Sequence, residues 1–186
     1  MISLNRVMMN RRSRKILSNI GVEDMDVAEI SGRWGKSLNP KSYVQYMYPG
    51  HDICDGPVRY ANGEVLKYDL ILANQVWSHL DRPYKATQNV LEMLRPGGYF
   101  WLAVPFFMPY HPAPQDCTRW SARGLRNLLI EAGFPENDIQ AAQWGNRAAA
   151  KRNLEDKWPP EYDPKTDSLE HDPDFPIVAW ALARKA

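Results

Sequence analysis

Residues 68–106 read YDLILANQVWSHLDRPYKATQNVLEMLRPGGYFWLAVPF, and the fold is decided there. Residues 68–76 (YDLILANQV) are an apolar run of strand length. Residues 83–95 place Pro83 in a first turn and apolar side chains at Ala86, Val90, Leu91, Met93 and Leu94, which predicts a helix. Pro96-Gly97-Gly98 stops it. Residues 99–107 (YFWLAVPFF) read as a second buried strand. The order is strand, helix, strand.

The same alternation extends outward. Residues 5–20 carry Val7, Met8, Ile16, Leu17 and Ile20 around a basic stretch and stop at Gly21, which predicts a helix with a glycine cap. Residues 26–31 (DVAEIS) read as a buried strand feeding the turn Gly32-Arg33-Trp34-Gly35. Residues 42–48 (SYVQYMY) read as a second strand. Pro49-Gly50 turns the chain into a short third segment at His51–Cys54. Beyond the central stretch, residues 121–132 read as a helix between the cap candidate Ser121 and Gly133. Residues 138–144 and 176–184 read as strands. The stretch 151–174 holds four Pro, eight acids and four bases, and reads as an irregular excursion over one face. Strands alternating with helices predict an α/β layered fold with a mainly parallel sheet. The 186 residues fit one domain, 1–186, with an N-terminal helix at 1–21 and an excursion at 145–175.

Composition narrows the function classes. Lys and Arg total 23 against 22 acids, so no global field draws the chain to nucleic acid. An acidic excursion argues the same way. Cys54 and Cys117 are too few for a disulfide framework or a four-cysteine zinc site. No apolar run approaches the roughly 18 residues of a membrane span, and the N-terminus lacks a secretory apolar core. The expectation is a cytoplasmic protein, with a homodimer open as an arrangement.

In a parallel sheet, ligands bind beyond the carboxyl ends of the strands. After the first strand stand Glu29, Ser31, Gly32 and Gly35. The glycines let backbone approach a ligand. An acid inside an apolar strand needs a partner, a ligand ammonium being one. After the third segment comes Asp52, fitted to a ribose hydroxyl or an exocyclic amine, followed by Ile53. After the next strand come Asn74, Gln75, Val76 and His79.

The run 68–106 resembles the central segment of class I S-adenosylmethionine-dependent methyltransferases. The matching positions are Asp69-Leu70-Ile71, Val76-Trp77-Ser78-His79-Leu80 and Leu94-Arg95-Pro96-Gly97-Gly98. Val27-Ala28-Glu29-Ile30-Ser31-Gly32 resembles that family's first motif, and Asp116-Cys117-Thr118-Arg119-Trp120 its stretch after the fifth strand. Residues 26–134 and the final strand are covered. The resemblance implies a compact Rossmann-like sheet with an antiparallel last strand and helices on both faces. It implies S-adenosylmethionine as cofactor, contacted by Glu29, Ser31, Gly32, Tyr48, Asp52, Ile53, Asn74, Gln75 and Val76. The chain departs from the pattern in four places. The first loop has two glycines instead of three. Met47 or Tyr48 stands where an acid grips the ribose. The helix between the second and third strands is missing. Ser78 replaces the Glu before His79. The layout and the His-Pro…Asp-Cys-x-Arg-Trp stretch are similar to short methyltransferases of polysaccharide and glycan biosynthesis.

That resemblance implies O-methylation of a hydroxyl on a sugar or oligosaccharide acceptor, which needs a base worth roughly 10²–10⁴-fold. The candidates are His111, Asp116 and His79. His111 takes the proton. Asp116 orients His111, is the base itself, holds a divalent ion, or pairs with Arg119. Tyr110, Arg119, Trp120, Trp144 and Asn146 are the substrate-side candidates, with Trp158 and Tyr162 as a roof. A magnesium ion on carboxylates stays open, although no ligand spacing marks a site. Two alternatives stand beside this reading: methylation of another small acceptor, and a non-catalytic binding module of the same fold.

Overall fold

The computed structural model describes residues 2–186. Six strands form one sheet in the order β2-β1-β3-β4-β6-β5. They are β1 (Asp26–Ile30), β2 (Ser42–Tyr46), β3 (Tyr68–Asn74), β4 (Leu94–Pro105), β5 (Ile139–Trp144) and β6 (Val178–Arg184). β1 pairs in parallel with β2 and β3, and β3 with β4. β6 runs antiparallel between β4 and β5. The expected α/β architecture with an antiparallel last strand is therefore present.

Both faces of the central strands are apolar, as a sheet covered on two sides requires. One face packs α2 (Pro83–Met93) and α3 (Ala122–Ala132) through Ala86, Val90, Met93, Leu125 and Leu129. The other packs α1 (Leu4–Ser18) and the short α4 (Arg147–Arg152) through Leu4, Val7, Leu17 and Ala149, against Trp101, Trp180 and Leu182. Alternate residues of each strand divide between these two cores: Leu70 and Leu72 face one, Ile71 and Ala73 the other. Among the described residues no helix is long and apolar enough to cross a membrane.

Local signals held at the caps. Gly133 (φ 112°) takes the left-handed conformation that ends α3, whereas α1 ends at Ser18 with Asn19 as its cap and the left-handed Gly21 (φ 71°) opens the following turn at Val22–Asp24. The Ser121 hydroxyl accepts from the Gly124 N–H, as an N-cap should. The short third segment, His51–Cys54, is a turn in which Asp52 Oδ1 accepts the Cys54 N–H at 2.8 Å, satisfying backbone locally instead of in a ladder. Two other expectations needed correction. β4 starts at Leu94, not at residue 99. Leu94 already pairs with Tyr68, and the bulge before the Leu70–Tyr99 pair absorbs Pro96-Gly97-Gly98. The stretch 151–174 is irregular except at its start, since α4 forms on the Asn146 cap and runs to Arg152.

Arg95 joins Asp26 (2.9 Å) and Asp69 (2.6 Å) at the amino ends of β1 and β3. The carboxyl ends of the four parallel strands, at Ile30, Tyr46, Asn74 and Pro105, gather on the opposite edge. Pro105 and Trp144 both pair with Val178 there, so the segment leading into β6 returns to the same edge.

Candidate functional site

Two cavities adjoin along that edge. The larger, about 660 Å³, lies over β1, β2 and β3; Ser31, Gly32, Tyr48, Asp52, Asn74 and Gln75 are in its lining. The smaller, about 510 Å³, is bounded by the start of α1, the loop after β4 and the Trp158-Pro159 corner. Arg6, Gln75 and His79 line both, so they form the shared wall. Both volumes are those of small-molecule pockets.

The floor of the larger cavity is set by Glu29. Its side chain is fully buried. Oε1 accepts the Trp34 N–H at 3.1 Å; Oε2 accepts the Gly35 N–H at 2.6 Å and the Tyr43 hydroxyl at 2.6 Å. Burial, and then the neighbouring carboxylate, push the Tyr43 hydroxyl far up in pKa, so it stays a donor. The expected ligand ammonium is thus not the partner of Glu29. Backbone N–H groups of the first loop satisfy it, and the acid shapes the loop around itself. A Cβ on Gly32 would stand 2.2 Å from Glu29 Oε1, which is why glycine is needed there.

Ser31 (φ 49°) and Gln75 (φ 61°) follow β1 and β3 directly, and both hold the left-handed conformation without being glycine. Such strain collects where backbone must bend around a ligand. The Ser31 N–H donates to Tyr46 O at 2.8 Å and the Gln75 N–H to Ala103 O at 2.7 Å, so neighbouring strands hold both bends. Asn74 Oδ1 accepts from the Trp101 indole at 2.9 Å. Its Nδ2 is buried with no partner, and so is His51 Nε2. Both residues line the larger cavity. Burial also lowers the His51 pKa, so its ring favours the neutral form. All nine cofactor-side residues named from sequence line this cavity, Val76 and Ile53 as buried apolar wall. His51 and Cys54 line it too, from a turn that has no motif, and so does Arg82 at the start of α2.

His79 Nδ1 lies 2.5 Å from Gln115 O. A carbonyl can only accept, so Nδ1 carries the proton and Nε2 of the neutral ring is left with its lone pair. Gln115 Nε2 donates back to His79 O at 2.8 Å, and Ser78 O accepts from the Cys117 and Thr118 N–H groups. These bonds strap the loop after β4 onto the turn after β3. The His111 ring lies 5.4 Å from that of His79 and 5.3 Å from Trp158, centroid to centroid, and lines the smaller cavity.

Asp116 does not orient the His111 ring. It accepts the His111 backbone N–H at 2.7 Å and pairs in a bidentate manner with Arg119. The guanidinium holds its pKa at about 2, burial opposing and the His111 N–H assisting. A carboxylate so held is too weak a base for a hydroxyl, and neither Asp116 nor Arg119 lines either of these two cavities. The pair latches the loop. Its folded pKa lies below the unfolded value of about 3.9. The latch therefore stabilises fully above that value and is lost as pH falls through about 2. Asp116→Asn should lower the melting temperature at pH 7 and flatten its decline between pH 4 and 2. An unchanged acid limb in thermal unfolding would refute the latch.

The remaining substrate-side residues are elsewhere. Tyr110 is 78% exposed and outside both linings. Trp120 packs on the α2–α3 core. Trp144 is buried with its indole donating to Leu169 O. Asn146 caps α4 through Ala149 and donates to Ser168 O and Glu170 O, so its amide is spent on backbone. The strand-end position of Trp144 and Asn146 was read correctly. Their side chains turn inward because the 153–177 segment covers them. Trp158 does line the smaller cavity, as the roof expected, whereas Tyr162 packs on the α1-side core beneath Arg11. Among the described residues no group of three His, Cys, Asp or Glu could hold a metal ion, which removes the support for magnesium.

Residues 43–102 match the family model described as a methyltransferase domain. Among solved structures, an S-adenosylmethionine-dependent methyltransferase from Thermotoga maritima superposes with a TM-score of 0.56 at 13% identity, over 97% of this chain and 93% of that one. The N-methyltransferase NodS from Bradyrhizobium japonicum WM9, in complex with S-adenosylhomocysteine, gives 0.56 at 14% identity over 95% and 87%. A phosphoethanolamine N-methyltransferase from Haemonchus contortus gives 0.58 at 11% over 94% and 53%. At such identities the likeness is one of fold. No curated protein sequence matches this chain.

Proposed function

From a chain with the class I S-adenosylmethionine-dependent methyltransferase fold, we propose a methyltransferase that binds its cofactor in the larger cavity and its acceptor in the smaller. The observation that carries this is the pair of cavities sharing one wall at the carboxyl edge of the sheet. The larger offers what the cofactor needs. Asp52 supplies carboxylate oxygen for hydroxyl or amine donors in place of the acid missing after β2. The unpartnered His51 Nε2 and Asn74 Nδ2 await polar partners. Ile53, Val76 and Leu80 give apolar wall for an aromatic base. When bound, the cofactor supplies an already activated methyl group.

The chain then has to align an acceptor and manage its proton. We assign the proton-accepting atom to Nε2 of His79, fixed by the Nδ1–H bond to Gln115 O and set in the shared wall. His111 and Trp158 flank the acceptor. A hydroxyl acceptor suits this arrangement, since it must lose a proton on methylation. A sugar-like body suits the mix of Trp158 with the hydroxyls and amides of Ser3, Asn5, Asn10 and Ser78. The reading rests on small-molecule chemistry and a cofactor, with no metal.

Calorimetric titration with S-adenosylhomocysteine tests the first half. Micromolar binding is expected, weakened at least tenfold in Asp52→Ala. Absence of binding would overturn the methyltransferase reading.

A further inference from the structure

We propose that the acceptor carries one anionic group, a carboxylate or a phosphate, seated beside Arg6 at the amino end of α1. This rests on the methyltransferase reading and names the substrate class of its acceptor cavity. The lining of that cavity includes no aspartate or glutamate; its ionisable groups are Arg6, His79 and His111. The nearest acid in the loop, Asp116, is neutralised by Arg119.

Arg6 itself forms no ion pair among the described residues. It projects from the first turn of a 15-residue helix that has no acid in that turn. The positive end of such a helix favours an anion. Two hydroxyls add to this. Ser3 stands at the N-cap position, yet its side chain makes no capping bond, and its Oγ is buried without a partner. Ser78 is 1% exposed, and its Oγ is likewise buried and unpartnered. Both line this cavity. A buried hydroxyl with no partner is costly unless a ligand supplies one. A guanidinium, two hydroxyls free to donate and a helix N-terminus make a set of donors, which an anion satisfies. Phe107, Trp158, Ile177 and Val178 leave apolar wall for the rest of the acceptor. A sugar acid or sugar phosphate meets both requirements.

Arg6 also lines the cofactor cavity, so the rival occupant is the cofactor's own carboxylate. The test separates them. Full-length protein saturated with S-adenosylhomocysteine is titrated with benzoate, phenyl phosphate and neutral benzyl alcohol. An anionic probe should bind at least tenfold tighter than benzyl alcohol, and the tighter of the two anions identifies the group. Arg6→Gln should weaken the anionic probe roughly tenfold to hundredfold, the worth of a charged hydrogen bond. Its S-adenosylhomocysteine affinity should fall by a smaller factor than the probe's. Ser78→Ala, which leaves α1 untouched, should weaken the same probe by about threefold to tenfold. Equal binding of benzyl alcohol overturns the proposal. So does probe binding unaltered in both variants, or an Arg6→Gln defect confined to S-adenosylhomocysteine. Wild type that binds no S-adenosylhomocysteine refutes the underlying reading instead, and the probes titrated into free protein then show whether the anion seat stands alone.

Discussion

Glu29→Ala should unfold the first loop and remove cofactor binding together. The carboxylate accepts three hydrogen bonds inside the protein, two from backbone and one from the Tyr43 hydroxyl. Truncation leaves three buried donors, each costing about 1–3 kcal/mol when unsatisfied. The sum, roughly 3–6 kcal/mol with partial relaxation, is a large part of the roughly 5–15 kcal/mol that keeps a domain folded. For this chain length each kcal/mol moves the melting temperature by about 2–4 °C. A fall of roughly 10–20 °C is expected, with no rescue by S-adenosylhomocysteine. Glu29→Gln keeps the shape and one accepting oxygen, so it should fall between wild type and Ala. A melting temperature within about 2 °C of wild type would show that the loop does not depend on this acid.

His79→Gln should cut kcat by roughly 10²–10⁴-fold, the range for a lost general base. The glutamine amide can still donate to Gln115 O, so the strap between the two loops survives while the basic Nε2 is gone. S-adenosylhomocysteine affinity should stay within about threefold. His111→Ala should act more mildly, about tenfold and mainly on acceptor KM, because its ring flanks the cavity beside Trp158. Once an acceptor is in hand, steady-state kinetics of both variants decide the matter. Full turnover in His79→Gln with collapse in His111→Ala would hand the proton to His111. The two rings lie 5.4 Å apart, so either one can be reached from the same cavity.

The elements were legible because their signals are local. Apolar runs of strand length at 26–30, 68–74 and 178–184 have no other way to bury both faces than a covered sheet. Pro83, Ser121 and Gly133 punctuate helices through φ preference and capping, which need no distant partner. The cofactor-side residues were legible for a related reason. In a parallel sheet, the residue after each strand must lie at the carboxyl edge, whatever its side chain does. The turn at His51–Cys54 was harder to see. Asp52 makes a local turn that competes with a ladder, and the sequence alone does not rank the two.

Side-chain direction is what only the tertiary structure decided. Trp144 and Asn146 stand where the sequence placed them, but the returning segment turns the indole into the core and uses the amide on backbone. Asp116 spends both oxygens on Arg119 and a backbone N–H, leaving none for catalysis. In the sequence Arg6 is one of five bases in the stretch 5–20. It becomes part of the shared wall only because α1, at the far end of the chain, docks beside the strand edge through Leu4, Val7 and Leu17. The sequence by itself determined the layers and the edge where chemistry gathers, since short-range periodicity and turn preference set those. Which side chains face the cavities was left to long-range docking, as in the Asn5–Asn153 pair, 148 residues apart, that joins α1 to the stretch carrying Trp158.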